Sequence, residues 1–452
     1  MQTRIMGGHE VEPDGGPRSV RTDAATVEET RPEDGRRPPG SRAATHAVGW
    51  SGALFGWFAL PLAALGALVV GAFMLWALGA NPFTAYRALV KGAFGSADGL
   101  VNTAIKAVPL LLVGAGICIA FRANVLNIGG EGQLVMGGLA STVTALALPG
   151  LPPPVLIPLV LLAGAVGGGL WGAIPGALKA YLSVNEILST IMLNIVAVQL
   201  MNYLLAHPLI DTTQSTVFAR IPQTRRLSPN ADLPILIHGT QLHAGVVVAV
   251  LVAVAAYLLL WRTGLGFRLR AVGLSREAAA YAGMPVRRTM TLAMTLSGAM
   301  CGLAGAILVF GSASHRMVTD GSATGFTGSA GFNGIVAALF GGLHPLWTIA
   351  SAFIFGGLLV GGNALQIAVQ VPSALIVALN GLVVVFVVSI EHARRRARER
   401  MDAAAGPRAS TRSDTTVGTT PARVGPTPPT APDGPEAIAK GEPIAAPEGA
   451  DE

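Results

Sequence analysis

The chain has 452 residues, 51% of them hydrophobic and 12% charged, with a mean hydropathy of +0.56; soluble domains carry roughly 25% charged residues, so the composition excludes an ordinary soluble protein and points to a polytopic membrane protein. Of the 56 charged side chains, 34 lie in residues 1–50 and 391–452, which leaves a 340-residue middle with little charge. The net charge of +6 and pI near 9.7 are therefore no sign of nucleic-acid binding, because the basic residues gather beside apolar segments, where they set membrane orientation.

Residues 1–51 are rich in Pro, Gly, Arg, Glu and Asp and nearly free of aromatics, the composition of a disordered cytoplasmic tail. They lack the layout of a signal peptide. The membrane domain is expected over residues 52–390, with a first span at Gly56–Leu78 and then a loop with short amphipathic content, Asn81–Lys106. A second, short span covers Val108–Phe121 and a third Gln133–Leu148, closed by the Pro-rich turn Pro149–Pro154. The fourth, Leu156–Leu178, carries Gly164, Gly168, Gly172 and Gly176 at four-residue steps, a stripe that lets a neighbouring helix approach closely.

The fifth span, Glu186–Leu205, places Glu186, Thr190 and Asn194 on one face. A polar loop, Ala206–Leu242, leads to the sixth, Ala244–Trp261. The following loop, residues 262–288, is the most basic internal one and is cytoplasmic by the positive-inside rule. Met290–Gly311 is the seventh span, Ile335–Leu343 a short eighth, and Leu346–Val360 and Ser373–Ile390 the ninth and tenth. Ten crossings place both termini in the cytoplasm, with Arg220, Arg225 and Arg226 in a long external loop as the exception to the charge rule. Residues 391–452 read as a basic and then disordered cytoplasmic tail.

Only Glu131 and Glu186 of the seven acidic residues between Trp50 and Ile390 sit within long apolar segments. A carboxylate in the centre of a membrane helix costs about 2.5–3.5 kcal/mol even on lenient scales, so it must face a partner, a cavity or a permeation path. Glu131 stands in NVLNIGGEGQLVMGG, where glycines make the helix easy to break. Two roles are open to it: contact with a solute, or a structural carboxylate held by backbone amides of the broken helix. Asn127 and Gln133 need partners in either case. Glu186 has the further option of pairing with Lys179 at the interface. Asn194, and Asn333 beside Phe332 in a second glycine-rich break, offer donors and acceptors suited to a neutral hydrogen-bonding solute. Asn127, Glu131, Asn194 and Asn333 are expected to converge on one interior cavity. Cys118 and Cys301 lie in apolar runs without metal or disulfide spacing and read as core residues.

In the basic loop, RAVGLSREAAAYAGMPVRR sets Glu277-Ala278-Ala279 ahead of Gly283, with Arg270 upstream. That is either an amphipathic connector at the membrane surface or a docking helix for an ATPase. With NIGGEGQ, NEILSTIMLN and GFNGIVAALFGG, it makes the sequence resemble permeases of the branched-chain amino acid and simple sugar class of ATP-binding cassette (ABC) importers, most closely the nucleoside (guanosine-type) permeases. The resemblance covers about Leu60 to Ile390, and the two tails have no counterpart in it. It departs from the family's pattern at Gly130, where alanine is more frequent, and at Asn333, where aspartate is.

The resemblance implies an all-α permease of about ten transmembrane helices with the cobalamin-importer (type II) fold, in a bacterial cell membrane. It also implies a coupling helix at Glu277–Gly283. The implied partners are a cytoplasmic ATP-binding subunit, a second related permease chain and an extracellular solute-binding lipoprotein, with a nucleoside as solute. The chain itself has no Gly-Lys-Ser/Thr phosphate loop, and no enzyme activity, cofactor or metal is expected. A sugar permease is the first alternative. A proton-coupled carrier using Glu131 or Glu186 has no use for the Glu277–Gly283 element, and an intramembrane enzyme would need an intramembrane nucleophile and base or a metal cluster.

Overall fold

The computed structural model describes residues 65–213, 221–319 and 325–372, with scattered positions from 375 to 396. The expected N-terminal tail, the C-terminal tail except Arg396, the start of the first span and part of the tenth lie outside them. The described residues form twelve α-helices: α1 (Leu65–Ala77), α2 (Pro82–Phe94), α3 (Ala97–Arg122), α4 (Gly130–Ala147), α5 (Pro153–Leu182), α6 (Glu186–Ala206), α7 (Gly245–Arg262), α8 (Gly264–Leu274), α9 (Arg276–Tyr281), α10 (Val286–Phe310), α11 (Ala330–Phe340) and α12 (Pro345–Val369). Among the described residues there is no β-strand, only isolated bridges at Gln223–Val318 and Ile235–His243. Six helices are long and apolar enough to cross a membrane alone, and the α1–α2 pair, bent by 120° at its break, makes a possible seventh.

Local chemistry fixes most helix starts. Pro82 occupies the first turn of α2 behind the Asn81 cap, whose Oδ1 accepts from the Phe83 N–H at 2.9 Å. The Ser96 hydroxyl caps α3, and Asn185 caps α6 by accepting from the Ile187 N–H. The αL residue Ser183 ends α5 and turns the chain into α6.

Two expectations are corrected here. The expected loop Asn81–Lys106 is helical over most of its length: α2 fills its first half, and α3 begins at Ala97 rather than at Val108. Asp98, Asn102 and Lys106 broke the apolar run in the sequence, but the Ser96 cap and the Asp98 carboxylate in the first turn favour helix there. The expected crossing at Ile335–Leu343 is α11, whose eleven residues rise only about 16 Å against a hydrocarbon core of about 30 Å, so it cannot span alone.

The core is built around α3, whose residues 107–120 are all buried. A helix apolar on every face belongs inside a bundle. Its neighbours include α7, α10, α11 and α12. Helix α10 runs between α4 and α5 with almost no side-chain layer on either side. The glycine stripe of α5 packs on a matching set of small residues in α10: a Cβ built on Gly164 would lie 2.7 Å from Ala306 Cβ, and one on Gly172 2.7 Å from the Met294 carbonyl. Gly168 meets Gly298 and Gly302, and Gly176 meets Met294. On the other side Gly302 touches Gly137 of α4, and Gly305 touches the Leu134 carbonyl. Backbones this close draw their attraction from dispersion and weak Cα–H···O contacts, as in other lipid-embedded pairs.

A broken helix and its partner half-helix

After Arg122 the chain leaves α3 and runs without helical hydrogen bonds from Val125 to Ile128 before α4 begins at Gly130. Gly130 packs on Val113, which lies nine residues before the end of α3. That places the start of α4 about 14 Å back along α3, deep inside the bundle. Helix α11 also starts in the interior: Gly331 sits against Gly130 and Glu131, and Gly334 against Val113. Two half-helices therefore begin at one buried joint, each with unsatisfied amide donors in its first turn.

Neither half-helix has a side-chain cap of its own. Each borrows one. Asn194 of α6 accepts from the Gly132 N–H of α4 at 2.8 Å through Oδ1 and donates to the Ile128 carbonyl at 3.0 Å through Nδ2. Glu131 of α4 accepts from the Phe332 N–H of α11 at 3.2 Å, which puts a carboxylate at the positive end of that helix dipole. Asn127 holds the non-helical segment together. Its Oδ1 accepts from the Gly129 N–H (2.9 Å) and from Gln133 Nε2 (3.0 Å), and its Nδ2 donates to Gln133 Oε1 (2.9 Å) and Ser297 Oγ of α10 (2.8 Å). Asn127, Glu131, Gln133 and Asn194 are all buried.

Of the other residues singled out in the sequence, Thr190 touches the joint, its Cβ 3.2 Å from a Cβ built on Gly129, and its hydroxyl donates to the Glu186 carbonyl. Glu186 is ion-paired with Lys179 at 2.7 Å across the α5–α6 turn. The Phe332 ring is 45% exposed and the Asn333 side chain half-buried, both one turn into α11. Asn194 is thus bonded into the joint, whereas Asn333 is tied to the first turn of α11 by its backbone N–H, which donates to the Ser329 carbonyl.

The basic loop folds into α8 and α9. Ser275 caps α9 through the Ala278 N–H, Ala279 is buried beneath it, and Glu277 lies in its first turn. Gly283 ends the element at φ +76°, a conformation that favours glycine. Arg270 donates back to the Gly266 carbonyl within α8. Leu274, the last residue of α8, and Tyr281, the last of α9, are 89% and 94% exposed. Arg276 reaches from α9 to the carbonyl of Asn124 at 3.0 Å, and Gly273 packs on the carbonyl of Arg122. The Arg122 guanidinium lies 5.3 Å from the Trp261 ring centroid.

At the other end of the bundle a cavity of about 680 Å³ opens between α3, α10, α12 and the segments before α7 and α11. None of the polar residues singled out in the sequence borders it. Asn102, Lys106, Gln241, Arg316, Phe326 and Asn363 do. The available signal was Asn102 and Lys106, polar at i and i+4 on one face of an otherwise apolar segment.

The family described as the permease component of branched-chain amino acid transport systems matches residues 99–388, which take in the joint, the α8–α9 loop and the cavity-lining part of α3. The chain belongs to that family. The guanosine ABC transporter permease protein NupP of Bacillus subtilis is 36% identical to this permease over 71% of the chain and 90% of its own length. The glucose ABC transporter permease protein TsgB13 of Haloferax volcanii is 35% identical over 74% of the chain and 87% of its own, and the nucleoside ABC transporter permease protein NupB of Lactococcus lactis 32% identical over 65% and 80%. No solved structure matches. These relatives are transport components, and this chain is the membrane permease of an ABC transporter.

Proposed function

We propose that this permease imports nucleosides, with ATP hydrolysed on a partner subunit that docks at α9. The observation that carries the reading is the pairing of an exposed α9, flanked by the outward-facing Leu274 and Tyr281, with a direct hydrogen bond from Arg276 to the start of the broken segment. A partner seated on α9 thereby acts on the joint of α4 and α11 without touching solute. The basic loop is the cytoplasmic face, both termini are cytoplasmic, and the 680 Å³ cavity opens outward, where a solute-binding lipoprotein delivers its cargo. A second, related permease chain completes the complex. Glu131, Asn127 and Asn194 brace the joint, and Phe332 and Asn333 face the passage.

Nucleosides rank first because two of the three relatives above bear names of nucleoside transporters, while the Haloferax relative of nearly equal identity favours glucose as the second reading. The test is uptake of labelled guanosine and labelled glucose by cells carrying or lacking this chain, with the ATP-binding subunit recovered alongside the purified permease. Guanosine uptake that depends on the chain supports the proposal. Chain-dependent uptake of glucose alone would replace it with the second reading.

A further inference from the structure

Among the described residues, the outer cavity contains a cation without a counter-charge. Lys106 lies ten residues into α3, within a helix apolar enough to cross a membrane, and it forms no ion pair among the described residues. Its neighbour in the lining, Arg316, is neutralised by Asp211 at 2.8 Å, and no carboxylate is found among the described lining residues. An ammonium on a membrane helix is retained where it faces water, an anion or a ligand rich in acceptors. The rest of the lining has the composition of a small-molecule site: the Asn102, Asn363 and Gln241 amides, the hydroxyls of Ser312 and Ser314, and the Phe326 ring. Its volume also falls within the 300–1,000 Å³ of typical ligand pockets.

Phe326 marks the floor. Its ring edge packs on Gly138, Cζ lying 2.8 Å from a Cβ built there, seven residues or about 10 Å along α4 from Glu131. The same short segment leads straight into α11, whose first turn Glu131 caps. A ring resting on Phe326 would touch the segment that leads into the joint.

We infer that this cavity is a selectivity site for 6-oxopurine nucleosides, in which Lys106 donates to the adjacent O6 and N7 acceptors of the base and Phe326 stacks on the ring; the inference rests on the nucleoside reading above. A lysine ammonium has three donors and no acceptor, and the O6/N7 edge of guanine is the edge that lysine and arginine read in DNA. Adenine sets an amino donor beside N7, so donor faces donor. A good pair of this kind discriminates by about five- to 150-fold, and a hydrated vestibule belongs at the lower end, about five- to tenfold.

The test uses the full transporter in cells lacking other purine uptake, with labelled guanosine and labelled adenosine each at concentrations that saturate the capture protein, so that the permease sets the ratio of maximal rates. Wild type should favour guanosine by about five- to tenfold. Lys106→Met should bring the ratio close to one at unchanged membrane abundance, Lys106→Arg should keep it, and Phe326→Leu should slow both solutes alike. A ratio that survives Lys106→Met, or a wild type without preference, overturns the selectivity site while leaving nucleoside import standing. Wild-type cells that take up neither nucleoside overturn the import reading and this inference with it.

Discussion

Replacing Asn194 with leucine separates a brace from a solute contact. The side chain would lose its buried bond to the Gly132 N–H and its part-buried bond to the Ile128 carbonyl just before α4. Loss of a helix cap costs about 0.5–2 kcal/mol, and a stranded carbonyl up to about 1–3 kcal/mol when buried. The sum, roughly 2–4 kcal/mol after partial relaxation, is a large share of the 5–15 kcal/mol that typically holds a fold together. In detergent the unfolding midpoint of Asn194→Leu should fall by about 5–10 °C, with less permease recovered from membranes. Gly132→Ala should behave alike, because its Cβ would lie 2.9 Å from Asn194 Cα and Oδ1. An Asn194→Leu permease that melts with wild type but no longer carries solute would refute the bracing role and make Asn194 a solute contact.

Three further outcomes follow from the packing and the loops. Gly302→Ala should reduce folded permease by about 1–3 kcal/mol of stability, since its methyl group would meet Gly168 Cα at 2.7 Å and Gly168 N at 2.8 Å, rigid backbone on a facing helix; normal thermal stability would show that α5 and α10 can part freely. Arg276→Ala should leave the ATP-binding subunit attached, as measured by co-purification, yet lower uptake several-fold, and unimpaired uptake would remove the α9 link. His243 is buried at the mouth of α7, accepts from the Gly245 N–H, and has its pKa lowered from 6.5 by desolvation. The fold therefore favours the neutral ring, and the stability it contributes is present above pH 6.5 and lost as pH falls below that value, where the unfolded chain takes up the proton first. Melting curves at falling pH should show this loss, and His243→Asn, which keeps an acceptor, should flatten it.

Much of this architecture was readable in the sequence. The spans at α5, α6, α7 and α10 matched within a few residues, because proline, glycine and arginine punctuate their apolar runs. The break before α4 was legible for the same reason: NIGGEGQ is too polar and too glycine-rich to continue as a lipid-facing helix. Its partner was not. The bond from Phe332 to Glu131 joins residues 201 apart, and no local pattern announces that one half-helix will cap another. The outer cavity went unread because Asp98, Asn102 and Lys106 resemble a loop to any reading by hydropathy, when their charge and polarity mark the wet side of an extended helix.

The stretch between Asn124 and Gly130 is pinned along its length from three other helices: the Asn124 carbonyl accepts from Arg276 of α9, Asn127 donates to Ser297 of α10, and the Ile128 carbonyl accepts from Asn194 of α6. Adding or removing one residue between these points would shift every later one by about 3.3 Å, more than a hydrogen bond tolerates. The length of this non-helical run is therefore as constrained as its composition, although no helical hydrogen bond fixes it.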